Sequence, residues 1–211
     1  MTFLAQPDAW DRSATLWLNS LYTPGADGFW AFLSHTQAWY PLYALVMVLL
    51  VVRLGWKRGL AAILACILTV VLADQTCNLV KAAVGRLRPC HDPQMLALGL
   101  HVPHPSRGLY GFFSAHATNT FSFALLTSRF LRPSAPSGTA SPGDILCRLY
   151  TPVIFVWAVL VSLSRIVRGV HYLGDVLSGA LFGLLLAALL LLLFRLIFNF
   201  PAAPEVREGA E

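Results

Sequence analysis

Residues 164–175 read Ser-Arg-Ile-Val-Arg-Gly-Val-His-Tyr-Leu-Gly-Asp, so two arginines, a histidine and a carboxylate stand at the mouth of a strongly apolar segment. Charge at the end of a membrane-type helix costs free energy unless it faces a polar cavity, which marks this stretch as a functional site. His171 and Asp175 are four residues apart. On a helix they share a face, where the carboxylate holds one imidazole nitrogen and leaves the other free for chemistry. Two further islands carry complementary groups. Lys81 and Arg88 lie seven residues apart, two helical turns if the helix persists as far as Pro89, which must stop it. An arginine fork binds phosphate oxygens in pairs, and lysine adds a mobile point charge. In residues 111–120, Gly-Phe-Phe-Ser-Ala-His-Ala-Thr-Asn-Thr, Ser114 and His116 open an apolar segment whose first N–H groups attract an anion. The chemistry these residue types support is attack on a phosphate.

The elements that must position them are membrane helices. Of the 211 residues 57% are hydrophobic and 12% charged, with a mean hydropathy of +0.66, far from a soluble domain. The net charge of +5 does not form a stripe on a polar face, so nucleic acid is not an expected partner. The basic residues sit instead in short connections between apolar runs. Residues 30–52, 59–79, 115–131, 150–163 and 173–198 approach or reach the length of a span, the fourth continuing through Ser164 and Arg165. The expected fold is all-α, a polytopic bundle of five transmembrane helices in one domain over residues 1–200. Residues 3–22, with Asp8, Asp11, Trp10 and Trp17, are too polar to span and are expected as an interfacial helix within an N-terminal segment ending at residue 26. The first residues lack the basic and apolar regions of a cleavable signal peptide. Residues 133–143 read as a flexible connector and 201–211 as a disordered tail. Arg53, Lys57, Arg58, Arg129, Arg132, Arg148 and Arg195 fall on one side by alternation, and the positive-inside rule makes that side cytoplasmic. All three islands then meet on the outer face.

Lys81-x6-Arg88-Pro89, Ser114-x-His116 and Ser164-Arg165-x5-His171-x3-Asp175 resemble the three signature motifs of the type 2 phosphatidic acid phosphatase superfamily. The resemblance covers residues 74–175 in motifs and reaches 198 in its pattern of spans. One departure is Ala115, where the family usually has glycine between the serine and histidine. The resemblance implies a metal-independent lipid phosphatase without a cofactor. His171 would attack phosphorus to form a phosphohistidine, with Asp175 fixing its tautomer and His116 protonating the leaving oxygen before activating water. Lys81, Arg88, Arg165 and Ser114 would hold the phosphoryl oxygens. Compact bacterial members of this kind act on undecaprenyl diphosphate, phosphatidylglycerol phosphate, phosphatidic acid or the phosphates of lipid A. Undecaprenyl diphosphate is the favoured expectation, in the bacterial inner membrane with the site on its periplasmic face.

Competing readings remain beside these. Transfer of the phosphoryl group to a second lipid would use the same intermediate, and a transporter would hold an anion without cleaving it. Arg86 and Arg168 lie between motif positions, and a place at the surface or on lipid headgroups competes at least equally with a role in the site, so neither is counted among the site residues. His91, His101 and His104 show no metal-ligand spacing. Asp74 and Gln75, inside a span, read as structural polar groups bonded to a neighbouring helix. Asp74, Asp92 and Asp175 are too scattered for a Mg²⁺ site. Cys66, Cys77, Cys90 and Cys147 read as small apolar fillers, with a Cys77–Cys90 bridge the one pairing considered. The loop of residues 90–113 is expected to cover the pocket.

Overall fold

The computed structural model describes residues 5–132 and 142–198, which form helices joined by short loops. The expected tail lies outside the described residues, as does the expected connector apart from Pro142 and Gly143, which open a helix. The chain runs α1 (Ala5–Asn19), α2 (Asp27–Ser34), α3 (Tyr40–Leu54), α4 (Trp56–Val84), α5 (Pro93–Ala97), α6 (Ala115–Phe130), α7 (Pro142–Val167) and α8 (Leu173–Phe198). Among the described residues four stretches, Thr36–Leu54, Trp56–Val84, Gly143–Val167 and Leu173–Ile197, are long and apolar enough to cross a membrane. This is an integral membrane protein, with one fewer such helix than the five expected.

The helix outside that count is α6. Its 16 residues extend about 24 Å. It lies inside the bundle, packed on α4, α7 and α8, with Ala117, Thr118, Thr120, Ser122, Phe123, Ala124, Leu126 and Thr127 all buried. Because protein, not lipid, surrounds α6, its sequence need not be strongly apolar. Its hydroxyls bond back to its own carbonyls, Thr120 to His116 at 2.9 Å and Thr127 to Phe123 at 2.7 Å. Helix α8 approaches α6 closely. A Cβ on Gly179 would sit 2.5 Å from the Ser114 carbonyl oxygen, and one on Gly183 2.4 Å from that of Thr118. Only glycine fits there, the usual way membrane helices bring backbones together. The opposite face of α8 presents Leu177, Leu181, Leu185 and Leu189, all exposed at a spacing of four residues, as a lipid-facing stripe.

The first expected span is not continuous. The helix breaks at His35, which is extended, and restarts through a 3₁₀ turn at Thr36–Trp39. Pro41 explains the restart: it has no N–H to continue a helix from upstream and favours the first turn of a new one. Helix α2 therefore turns aside onto α7. The expected interfacial helix forms as α1, docked by one face on α7 and α8 with Trp10 and Trp17 left exposed. Thr15 and Asn19 are buried. Asn19 donates to the carbonyls of His101 and Val167 at 2.9 and 2.8 Å and accepts the His101 N–H at 2.8 Å.

Candidate active site

Backbone hydrogen bonds join the three islands at one end of the bundle. Helix α4 carries Lys81 in its last turn and stops at Gly85, whose left-handed backbone (φ 64°) returns an N–H to the Lys81 carbonyl. The chain then runs extended beside the second island. Arg88 N–H donates to Leu109 at 2.8 Å, and Gly111 N–H donates to Arg86 at 2.9 Å. Ser114 N–H in turn donates to the Asp175 carbonyl at 2.9 Å, which ties the second island to the third. Within the third, the N–H groups of Val170 and His171 return to the Arg165 carbonyl at 3.0 and 3.3 Å, so the turn after α7 folds the histidine back over the arginine.

His171 and Asp175 are both essentially inaccessible, with Nδ1 3.3 Å from Oδ2. The same carboxylate oxygen accepts the Tyr172 N–H at 3.1 Å. On the other side of the ring, Arg88 Nη1 lies 3.1 Å from Nε2 and donates to the Val170 carbonyl at 3.2 Å. A guanidinium only donates, so Nε2 is the nitrogen with the lone pair and Nδ1 carries the proton. Burial lowers the affinity of His171 for a second proton to well below the usual histidine value, and the charges of Arg88, Arg165 and Lys81 lower it further. A hydrogen bond to the Gly111 backbone works the other way and does not prevail. The ring is neutral at neutral pH.

The remaining expected residues surround that ring. Arg165 Nη1 donates to Ser34 Oγ of α2, so the aside turn of α2 secures a guanidinium. The Nε atoms of Arg88 and Arg165 are buried without a protein partner among the described residues, which leaves both as donors for an anion. Ser114 is fully buried and caps α6, accepting the Ala117 N–H at 3.4 Å, a bond that leaves the hydroxyl proton free to donate. His116, on the first turn of α6, has Nε2 3.4 Å from Thr36 Oγ1. From Ser34, Thr36 and His116 a cavity of about 590 Å³ descends between α3, α4 and α6 past Asp74 and Asn119 to Met47. Most of its wall is apolar.

Arg86, with Asp8, Asp11 and Tyr172 around it, belongs here although outside the expected set. The sequence left its role open between the site and the surface, and the side chain points inward: Nη1 donates to Asp175 Oδ1 at 3.0 Å, and Nη2 donates to Asp11 at 2.7 Å and Asp8 at 3.1 Å. Its guanidinium carbon lies 3.9 Å from the centre of the Tyr172 ring. Burial works against its charge, but the Asp11 hydrogen bond and the charges of Asp175, Asp11 and Asp8 raise its proton affinity above the ordinary arginine value. The acidic residues of the N-terminal segment, at 3–22, were the available signal for these partners. Helix α1 is thus fastened behind the histidine, with Asp11 also accepting the Gly174 N–H at 2.7 Å.

The loop histidines take separate partners: His91 bonds the Ser106 carbonyl at 2.8 Å, His101 stacks on Tyr22, and His104 stands 3.8 Å from Asp27. All four cysteines are free and buried. Among the described residues no group of three or more His, Cys, Asp or Glu side chains is placed to hold a metal ion.

The sequence profile of the PAP2 superfamily matches residues 58–198. Over 175 residues the chain is 31% identical to the lipid A 4'-phosphatase of Bacteroides thetaiotaomicron, covering 82% of this chain and 72% of that protein. It is also 31% identical to the lipid A 4'-phosphatase of Porphyromonas gingivalis, over 83% of this chain and 69% of the relative. Among solved structures, the transmembrane PAP2 type phosphatidylglycerolphosphate phosphatase of Bacillus subtilis superposes with a TM-score of 0.70 at 20% identity, over 95% of this chain and 90% of the other. Aquifex aeolicus LpxE gives 0.61 at 20% identity, over 85% and 93%. A profile match over most of the chain, relatives aligned along four-fifths of it and the same membrane fold agree with the three joined islands: the chain belongs to the PAP2 superfamily and is a membrane phosphatase of that family.

Proposed function

We propose that this protein removes a phosphate from a lipid A-type glycolipid through a phosphohistidine on His171. The observation that carries the reading is the His171–Asp175 pair at 3.3 Å with Arg88 on the free nitrogen. The lone pair on Nε2 attacks phosphorus, the bond from phosphorus to the sugar oxygen breaks, and His116 gives that oxygen a proton. The imidazolium so formed is stabilised by Asp175. Water then attacks phosphorus while His116 takes its proton, the bond from phosphorus to Nε2 breaks, and His171 leaves as a neutral ring with inorganic phosphate released. Lys81, Arg88, Arg165 and the Ser114 hydroxyl neutralise the oxygens throughout. The preferred substrate differs from undecaprenyl diphosphate, favoured on the sequence, because both relatives that align along four-fifths of this chain are named for lipid A. The bacterial relatives support a bacterial inner membrane, and the positive-inside rule supports a site on its periplasmic face.

The test is phosphate release from a lipid A 4'-phosphate substrate in detergent with a chelator present, for wild type, His171→Ala and His116→Ala. Both variants are expected to fall by roughly 10³-fold or more, and acid-labile phosphate is expected on wild-type protein but not on His171→Ala. Undiminished release by His171→Ala overturns the nucleophile, and a requirement for added Mg²⁺ overturns the all-protein cation set.

A further inference from the structure

Asp74 sits in the middle of a membrane helix, and its placement exceeds what packing alone needs. It lies seven residues before Lys81 on α4 and therefore on nearly the same face, about 10 Å deeper along the axis. Across the cavity, Asn119 follows His116 by three residues on α6 and shares its face. The two side chains meet, with Asn119 Nδ2 donating to Asp74 Oδ1 at 2.9 Å, and both line the cavity that begins at His116. Two acceptors remain. Asp74 uses one carboxylate oxygen in that bond, and Asn119 Oδ1 is buried with no partner among the described residues. Below His116 and Thr36 the wall is formed mainly by Met47, Ile67, Val70 and Phe123, which suit alkyl chains and carry no donor, and the Tyr43 hydroxyl that also lines it does not bond Asn119 Oδ1.

A lipid whose phosphate is held at Lys81 and His116 must send its chains down this cavity, so what reaches Asp74 and Asn119 is the part where chains join the headgroup. We propose that Asp74 and Asn119 form a second recognition point that accepts a hydrogen-bond donor, an amide N–H or hydroxyl, from that junction. The cavity thereby selects acylated amino-sugar phosphates over lipids without such a donor. Ester-linked glycerolipids present only acceptors there, and polyprenyl phosphates present only hydrocarbon. A buried polar site rejects an analogue that lacks its partner more strongly than an apolar site rejects an extra group. The substrate named here rests on the proposed function, but the recognition point is testable without it.

The experiment compares two matched lipid phosphomonoesters, ceramide 1-phosphate, which has an amide N–H and a hydroxyl near the phosphate, and phosphatidic acid, which has esters in their place. The readout is the ratio of their kcat/KM values, which does not depend on how much of a variant folds. Wild type is expected to favour ceramide 1-phosphate by on the order of 10- to 100-fold. Asp74→Leu and the near-isosteric Asp74→Asn, each alone and with Asn119→Leu, are expected to bring the ratio toward one, Asp74→Leu furthest. A wild-type ratio near one overturns the proposal, as does an equal fall on both lipids, which is the mark of a structural role. If lipid A phosphate is not cleaved while the ratio collapses in the variants, the substrate assignment fails and the recognition point stands.

Discussion

Replacing Arg86 by alanine should disable the site without touching any residue that faces the phosphate. Asp175 is fully buried and keeps the Tyr172 N–H and His171 Nδ1 on one oxygen, but its other oxygen has Arg86 Nη1 at 3.0 Å. Removing one member of a buried pair typically costs about 3–5 kcal/mol, and the retained Tyr172 bond puts this case near the lower end, about 3 kcal/mol. The bond to Asp11, whose side chain is 15% exposed, adds to that. The bond to Asp8, nearly half exposed, adds no more than a surface pair, about 0–1 kcal/mol. A destabilisation of about 3–4 kcal/mol follows. The stranded carboxylate either turns away or is neutralised by a proton, and both withdraw the charged acceptor from His171. Loss of such an outer support lowers activity by roughly 10- to 100-fold. The assay is kcat for lipid phosphate hydrolysis beside thermal unfolding by tryptophan fluorescence, with Arg12→Ala as control. Arg12 pairs with Asp8 and Asp92 in the same layer but not with Asp175, so it should lose stability and keep kcat. Full kcat in Arg86→Ala, or an equal loss in Arg12→Ala, would refute the reasoning.

Two further outcomes follow from the same structure. His171 binds its second proton more weakly in the fold than in the unfolded chain, where the value is 6.5. The unfolded state therefore takes up the proton first as pH falls, and the stability difference between wild type and His171→Gln should shrink from pH 7 to pH 5, read as Tm; a constant difference would contradict a neutral buried ring. Gly183→Val should destabilise the α6–α8 crossing by at least about 1–3 kcal/mol, because its Cβ would lie 2.4 Å from the Thr118 carbonyl, whereas Leu185→Val on the lipid face should be near neutral. Equal Tm values for the two variants in one detergent would show that the close crossing does not hold the bundle.

Much of this protein was determined by its sequence, where the physics is local. Runs of apolar residues announce membrane helices because lipid offers backbone groups no partners, and α8 appears at the expected bounds. The short spacing predicts that His171 and Asp175 meet, and they do because so few residues separate them, although not on one helical face: His171 stands in the turn before α8, which begins at Leu173, and the pair closes across that helix's first turn. The serine before α6 is legible as a cap for the same reason. What the tertiary structure decided is which distant groups become neighbours. Arg86 meets Asp175 across 89 residues and Asp11 across 75, and no periodicity encodes such a choice. The docking of α1 and the burial of α6 depend on helix crossings set by side-chain volume, such as those at Gly179 and Gly183. The turn of α2 toward Arg165 is hidden in a largely apolar run that reads as one span, with the polar residues 34–37 and Pro41 its local signs. Asp74 is the sharpest case. Sequence marks it as a buried polar group bonded to another helix, and that bond exists; only the arrangement of α3, α4 and α6 puts a cavity beside it.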